Sequence, residues 1–153
     1  MKAFLKGFVY AGQGFWAAVQ KERNLRFHLC AAVYVLLLSL FYPFGRIEYA
    51  LLFLCIGGVI AMELVNSAIE RAVDCPDPAH WRAAGQSKDM AAGAVLVFSI
   101  ASAAVGIALF FQPAVLVQIP AWFLCHPLCL VLLLASLPLA IRFIFGKQNN
   151  KKG

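Results

Sequence analysis

At 153 residues, 63% of them hydrophobic and only 13% charged, the chain carries too much apolar side chain for an ordinary soluble domain. Its formal net charge of +6 could suggest a nucleic-acid partner, but the placement of basic residues around membrane spans accounts for it without one. The composition predicts an all-α integral membrane protein.

The amino terminus, MKAFLKGFVYAGQGFWAAVQKERN, spreads its small and basic residues too evenly for the apolar core and cleavage site of a signal peptide. Phe4, Phe8, Phe15 and Val19, set against Lys2, Lys6 and Lys21, predict instead an amphipathic helix over 2–22 lying on the membrane surface. Uncharged apolar runs follow at 27–44, 49–62, 90–111 and 113–141. A helix crossing hydrocarbon needs about 20 residues. The third run is long enough alone, and the first becomes so with its flanks. The second does so only if its helix continues past Glu63 toward Glu70, which puts those acids at the membrane edge. The fourth contains Pro120, Pro127 and Pro138, which predict a kinked or late-starting helix. Spans are therefore expected at 27–45, 47–70, 90–111 and 120–145.

All basic residues except Arg46 fall on one side of this map, and all acidic residues except Glu48 do the same. The bias predicts cytoplasmic amino and carboxyl termini. Cys30, Cys55, Cys125 and Cys129 lie inside apolar spans, where cysteine behaves as a small hydrophobe. Cys125-His126-Pro127-Leu128-Cys129 has a spacing that could suit a metal. No further ligands stand near it and Pro127 disturbs the helix, so packing is the preferred reading. Gly57, Gly58, Gly93 and Gly106 are expected to allow close helix packing.

The segment AMELVNSAIERAVD, at 61–74, sets Glu63, Asn66, Glu70 and Asp74 at i, i+3, i+7 and i+11. At roughly 100° per residue they share a stripe about 80° wide. A carboxylate in hydrocarbon costs roughly 2.5–3.5 kcal/mol, so such a row needs a role or a partner. Two further polar groups reach the same depth: Glu22, Asn24 and Arg26 in KERNLRFH, and Lys88 and Asp89 in SKDM. Carboxylates and an amide suit a magnesium ion that keeps other positions for phosphate oxygens, and Lys or Arg offsets the remaining charge. Taken singly, these residues have plainer readings. Glu22 and Arg26 are spaced to pair on one helix, Lys88-Asp89 can start a helix, and Asp74 and Asp77 before Pro78 suit a solvated turn. Those readings fail for Glu63 and Asn66, the deepest pair. No phosphate-binding glycine loop occurs, and the residues alone leave open catalysis on a metal-bound anion or its transport.

ERNLRFH, MELVNSAIERAVD and SKDMAAGAVL resemble, in order and spacing, the prokaryotic diacylglycerol kinase/undecaprenol kinase family of small membrane lipid kinases. The likeness runs from about Phe8 to about Phe111. It implies a surface helix with a three-span kinase core over 1–112, to which 113–153 adds a further span and a basic tail. It further implies a bacterial inner-membrane enzyme, a homotrimer with shared active sites, and ATP as co-substrate with Mg2+. By resemblance Glu63 is the base on the lipid hydroxyl and Asn66 orients the reacting groups. Glu22 and Glu70 hold magnesium and nucleotide, Tyr10, Lys88 and Asp89 contact nucleotide, and Arg26 and Asp74 support the site. Trp81 stands where the family usually has the histidine of a Tyr-His pair, so His80 receives no catalytic role.

The acceptor expected is undecaprenol, with diacylglycerol as the alternative, because His28 stands where the diacylglycerol branch tends to carry an acid. Two other classes are weighed. A cation-coupled transporter needs polar groups continuing across the bilayer, whereas YALLFLCIGG is apolar and the third span offers only Ser99 and Ser102. A non-catalytic assembly factor leaves the acids unexplained. Every polar candidate precedes Gln112, so catalysis is expected to survive without the fourth span.

Overall fold

In a computed structural model the chain is described over residues 2–74 and 81–146. Asp77, His80, Cys75 and the basic tail from Lys147 lie outside the described residues. Six helices follow in order: α1 (Lys2–Lys21), α2 (Arg23–Ser39), α3 (Arg46–Val73), α4 (Trp81–Phe110), α5 (Pro113–Cys125) and α6 (Pro127–Phe145). No strand occurs among the described residues. The all-helical membrane fold expected from composition is the one found.

α1 buries a narrow apolar stripe. Ala18 and Val19 pack with Leu25 of α2, backed by Leu29, Ile60 and Leu64, while Phe4, Phe8 and Tyr10 stay exposed. That split suits a helix with one side on protein and another toward lipid. The chain turns into α2 through a single residue, Glu22, whose extended backbone (φ −95°, ψ 113°) breaks the helical run.

α2 ends earlier than expected, at Ser39 rather than near 45. The Ser39 hydroxyl donates to the Leu36 carbonyl at 2.7 Å, and Pro43 has no N–H to extend the helix. α3 starts where the Glu48 carboxylate accepts the Gly45 N–H at 2.9 Å. Its length lets it cross hydrocarbon and still carry Glu70 and Val73 beyond. α3 and α4 form the main helix pair, and they approach most closely at Gly58, where a Cβ would collide with the Phe98 ring. Gly57, Gly93 and Gly106 have open space at that position, so of these four glycines Gly58 alone serves close helix packing. α4 begins at Trp81 rather than 90, so Lys88 and Asp89 lie inside a helix instead of ahead of one.

Three helices are long and apolar enough to cross a membrane among the described residues: α3, α4 and α6. At about 1.5 Å per residue the 17 residues of α2 cover about 25 Å, and the turn at 40–45 completes the crossing. The expected fourth span at 120–145 is corrected. The helix breaks at His126, and Pro127 opens α6 at its first turn, where a missing N–H costs nothing. Pro120 and Pro138 sit within helices. α5 starts beside the end of α4, and its Trp122 and Phe123 meet Phe41 after α2 at ring distances of 5.0 and 5.7 Å. Both ends of α5 therefore lie at the far end of the bundle, and α6 makes the return crossing against α2. Tyr42, Phe44 and Phe110 join the same far-end cluster, with the Tyr42 hydroxyl donating to the Phe110 carbonyl at 2.9 Å.

Candidate active site

The near end of the bundle holds the polar groups. Arg26 is only 6% exposed, and its guanidinium faces main chain rather than Glu22. It donates to the carbonyls of Val19 (3.1 Å) and Gln20 (3.0 Å), and from Nε and Nη2 to that of Ile144 (3.2 and 3.0 Å). One buried cation thus occupies open carbonyls at the carboxyl ends of both α1 and α6, where it also complements the helix dipoles. The pairing of Glu22 with Arg26 that their spacing allowed is not made. Glu22 instead accepts from Arg71 of α3 at 3.0 Å, which draws the corner residue onto the end of the acidic stripe.

Along α3 the stripe grades from dry to wet. Glu63 is 4% exposed and Asn66 is buried, Glu70 is half-buried and Asp74 is exposed. Each has a different partner. Glu63 Oε1 lies 3.3 Å from His28 Nε2, and the Asn66 amide donates to Glu70 Oε1 at 3.0 Å. Lys88 of α4 contacts Asp74. Asn66 Oδ1 is buried with no hydrogen-bond partner, an acceptor left open beside Glu70. Glu22 and Glu70 both lie within electrostatic range of Glu63.

Arg26 therefore faces main-chain carbonyls and meets none of these acids, whereas the structure pairs Glu63 with His28, Asn66 with Glu70, Glu22 with Arg71 and Asp74 with Lys88. Asp89 is exposed on the next position of α4, and Tyr10 is 65% exposed on α1, about 18 Å from Glu22 at 1.5 Å per residue. Neither makes a side-chain hydrogen bond among the described residues. Two residues acquire importance that their sequence positions did not suggest. Arg71 figured only in the charge map, yet it is the cation that meets Glu22. His28 served only to separate two branches of a family, yet it is the partner of the deepest acid. The available signal was a histidine at the polar entrance of an otherwise apolar helix.

From His28 an apolar groove of about 250 Å³ runs between α2, α3 and α4 toward Phe110. Small side chains open it, among them Ala31, Ala32, Ala103 and Gly106. Ser99 and Ser102 line it with buried hydroxyls that lack partners, whereas Ser39, Ser87 and Ser136 each bond a carbonyl of their own helix.

No group of three or more His, Cys, Asp or Glu is gathered to cage a metal among the described residues. The donor set still suits a hard cation. Carboxylates with an open amide oxygen beside one of them are the hard donors that suit magnesium, which takes few protein ligands and leaves the rest of its shell to water and phosphate. The Cys125–Cys129 segment offers no such set. His126 Nδ1 bonds the Trp122 carbonyl at 2.8 Å, and its ring stacks on Trp122 at 4.2 Å, in keeping with packing.

The family profile for prokaryotic diacylglycerol kinase matches residues 9–110, a stretch that holds every candidate site residue. Over 110 residues the chain is 42% identical to an undecaprenol kinase of Bacillus subtilis (strain 168), covering 72% of this chain and 89% of that one. A diacylglycerol kinase of Synechocystis sp. is 36% identical over 110 residues, 71% of this chain and 63% of its own. A diacylglycerol kinase of Helicobacter pylori (strain J99) is 30% identical over 96 residues, 63% of this chain and 75% of its own. No solved structure gives a significant match. With the acidic stripe, its basic partners and the helices α2, α3 and α4 all inside the matched region, this chain belongs to the prokaryotic diacylglycerol kinase family and is a lipid kinase.

Proposed function

We propose that the chain transfers the terminal phosphoryl group of ATP to the hydroxyl of undecaprenol, giving undecaprenyl phosphate and ADP. The observation that carries this reading is Glu63: a carboxylate almost fully buried against the histidine that lines the near end of an apolar groove, with progressively wetter acids on the same helix face. A lipid alcohol can bring its hydroxyl to that depth without leaving the bilayer, while nucleotide reaches Glu70 and Lys88 from water.

Phosphoryl transfer asks chiefly for positioning and charge neutralisation, so a helical membrane site can support it. Glu63 accepts the hydroxyl proton as the oxygen attacks the phosphorus, the step for which an alcohol needs a base. Asn66 holds Glu70 and presents its open oxygen to the same place. Glu22 and Glu70 are the residues that would hold magnesium, which neutralises phosphate charge when bound. Lys88 and Asp89 meet the nucleotide where α4 rises from the bilayer, and Tyr10 meets its far end on the surface helix. Arg26 and Asp74 act on the site through the helices they join.

Undecaprenol is favoured over diacylglycerol by the undecaprenol kinase relative, which is more similar and is covered over more of its length. In this reading the protein sits in the bacterial inner membrane with its site and both termini in the cytoplasm, as a homotrimer.

The deciding experiment incubates purified protein in mixed micelles with radiolabelled ATP and either undecaprenol or diacylglycerol. Label in undecaprenyl phosphate at the higher kcat/KM is expected. Preferential labelling of phosphatidic acid would transfer the assignment to diacylglycerol, and labelling of neither would remove it.

A further inference from the structure

The reaction needs Glu63 as a base, and a buried carboxylate with no donor is costly to keep ionised. Asn66, one turn away, is committed to Glu70. The group that reaches Glu63 is His28, at 3.3 Å from Nε2 to Oε1, and both side chains are largely shielded from solvent. Phe27 meets the imidazole edge-on with ring centroids 5.5 Å apart, which restrains its orientation. The same imidazole forms the near wall of the apolar groove.

We propose that His28 is a positioning residue for the catalytic base: its Nε2–H donates to Glu63 Oε1 and leaves Oε2 turned toward the acceptor hydroxyl. This rests on the kinase reading above. The chemistry favours a histidine in this place. A carboxylate has acceptor sites on both oxygens, so one can be anchored while the other takes a proton. A neutral imidazole supplies the anchoring bond without the permanent charge of Lys or Arg, which would hold the carboxylate ionised and weaken it as a base. Since α2 carries His28 and α3 carries Glu63, the bond also sets the base against the groove that the two helices share.

The test uses the full chain in micelles. His28→Gln places an amide N–H near the position of Nε2 and is expected to keep turnover close to wild type. His28→Phe fills the space without a donor and is expected to lower kcat by at least about tenfold, with the KM for ATP little changed. In a Glu63→Gln background His28→Phe should cause no further loss, because its effect passes through the carboxylate. Equal activity of His28→Phe and wild type, equal losses in the Phe and Gln variants, or a full additional loss in the double variant would each overturn the proposal. Imidazole nitrogen resonances test the pairing apart from activity. Glu63→Gln should move the His28 Nε2 signal and leave that of His126 in place, and an unmoved His28 signal would refute the bond even if the wild type phosphorylates neither lipid.

Discussion

In the proposed mechanism Glu63 has to be dry enough to meet a lipid hydroxyl and ionised enough to take its proton, and its neighbours divide that task. His28 reaches it from α2, while the wetter acids, Glu70 and Asp74, stand about two and three turns further along the same helix. If Glu63 is the base, Glu63→Gln should reduce kcat at least about 10²-fold while nucleotide binding changes little, measured by turnover and binding on one purified sample. Loss of binding in proportion to turnover would make it a ligand instead. Glu22→Gln and Glu70→Gln should act differently, raising the magnesium concentration needed for half-maximal turnover, because an amide is a weaker ligand than a carboxylate. Near-normal magnesium titrations in both would remove them from the metal site. The stripe itself could be read from sequence, since helical periodicity alone aligns Glu63, Asn66, Glu70 and Asp74. The partner of each acid could not. Whether Glu22 meets Arg26 or Arg71 depends on how sharply the chain turns between α1 and α2, and no local period encodes that turn.

At the level of helices, contacts decide what composition leaves open. Gly58 and Phe98 interlock α3 with α4, so Gly58→Ala should destabilise the bundle by about 1–3 kcal/mol through overpacking, seen as a lower thermal midpoint in micelles. Phe98→Leu should recover part of the loss; if it recovers none, the clash is not the cause. Truncation after Gln112 should leave most kinase activity, since every candidate site residue precedes that point. It should also lower thermal stability, because Arg26 loses the Ile144 carbonyl and Tyr34 loses the Ser136 hydroxyl it meets at 2.9 Å. A truncated protein that assembles normally but is inactive would bring α6 into the site. Helix existence was legible and helix ends were less so. The first turns of α4 are polar and read as a loop, whereas the structure continues the helix back to Trp81. The prolines of the last apolar run announced a distortion, but which of the three would break the helix depended on where α2 offered a surface for the return crossing.

Across the whole molecule, the carboxyl end of α6 lies at the same end of the bundle as the acidic stripe, and Arg26 joins it to the end of α1, just before Glu22. Engineered cysteines at Gly146 and at Gln86 should therefore label from the same side of the membrane, the cytoplasmic one; labelling from opposite sides would refute four crossings. Large exposed apolar side chains on α4, among them Leu96, Val97, Ile100 and Ile107, leave a broad face for lipid or for neighbouring subunits. One feature of the near end reaches beyond the single chain. Glu22 is the only residue between the surface helix and α2, so a change in the tilt of α1 swings the carboxylate that pairs with Arg71. An amphipathic helix lying on the leaflet would turn Lys6 and Lys21 toward anionic head groups. If Glu22 holds magnesium as proposed, the helix that lies on the leaflet and the chemistry beneath it share a single residue, and the tilt of one sets the place of the other.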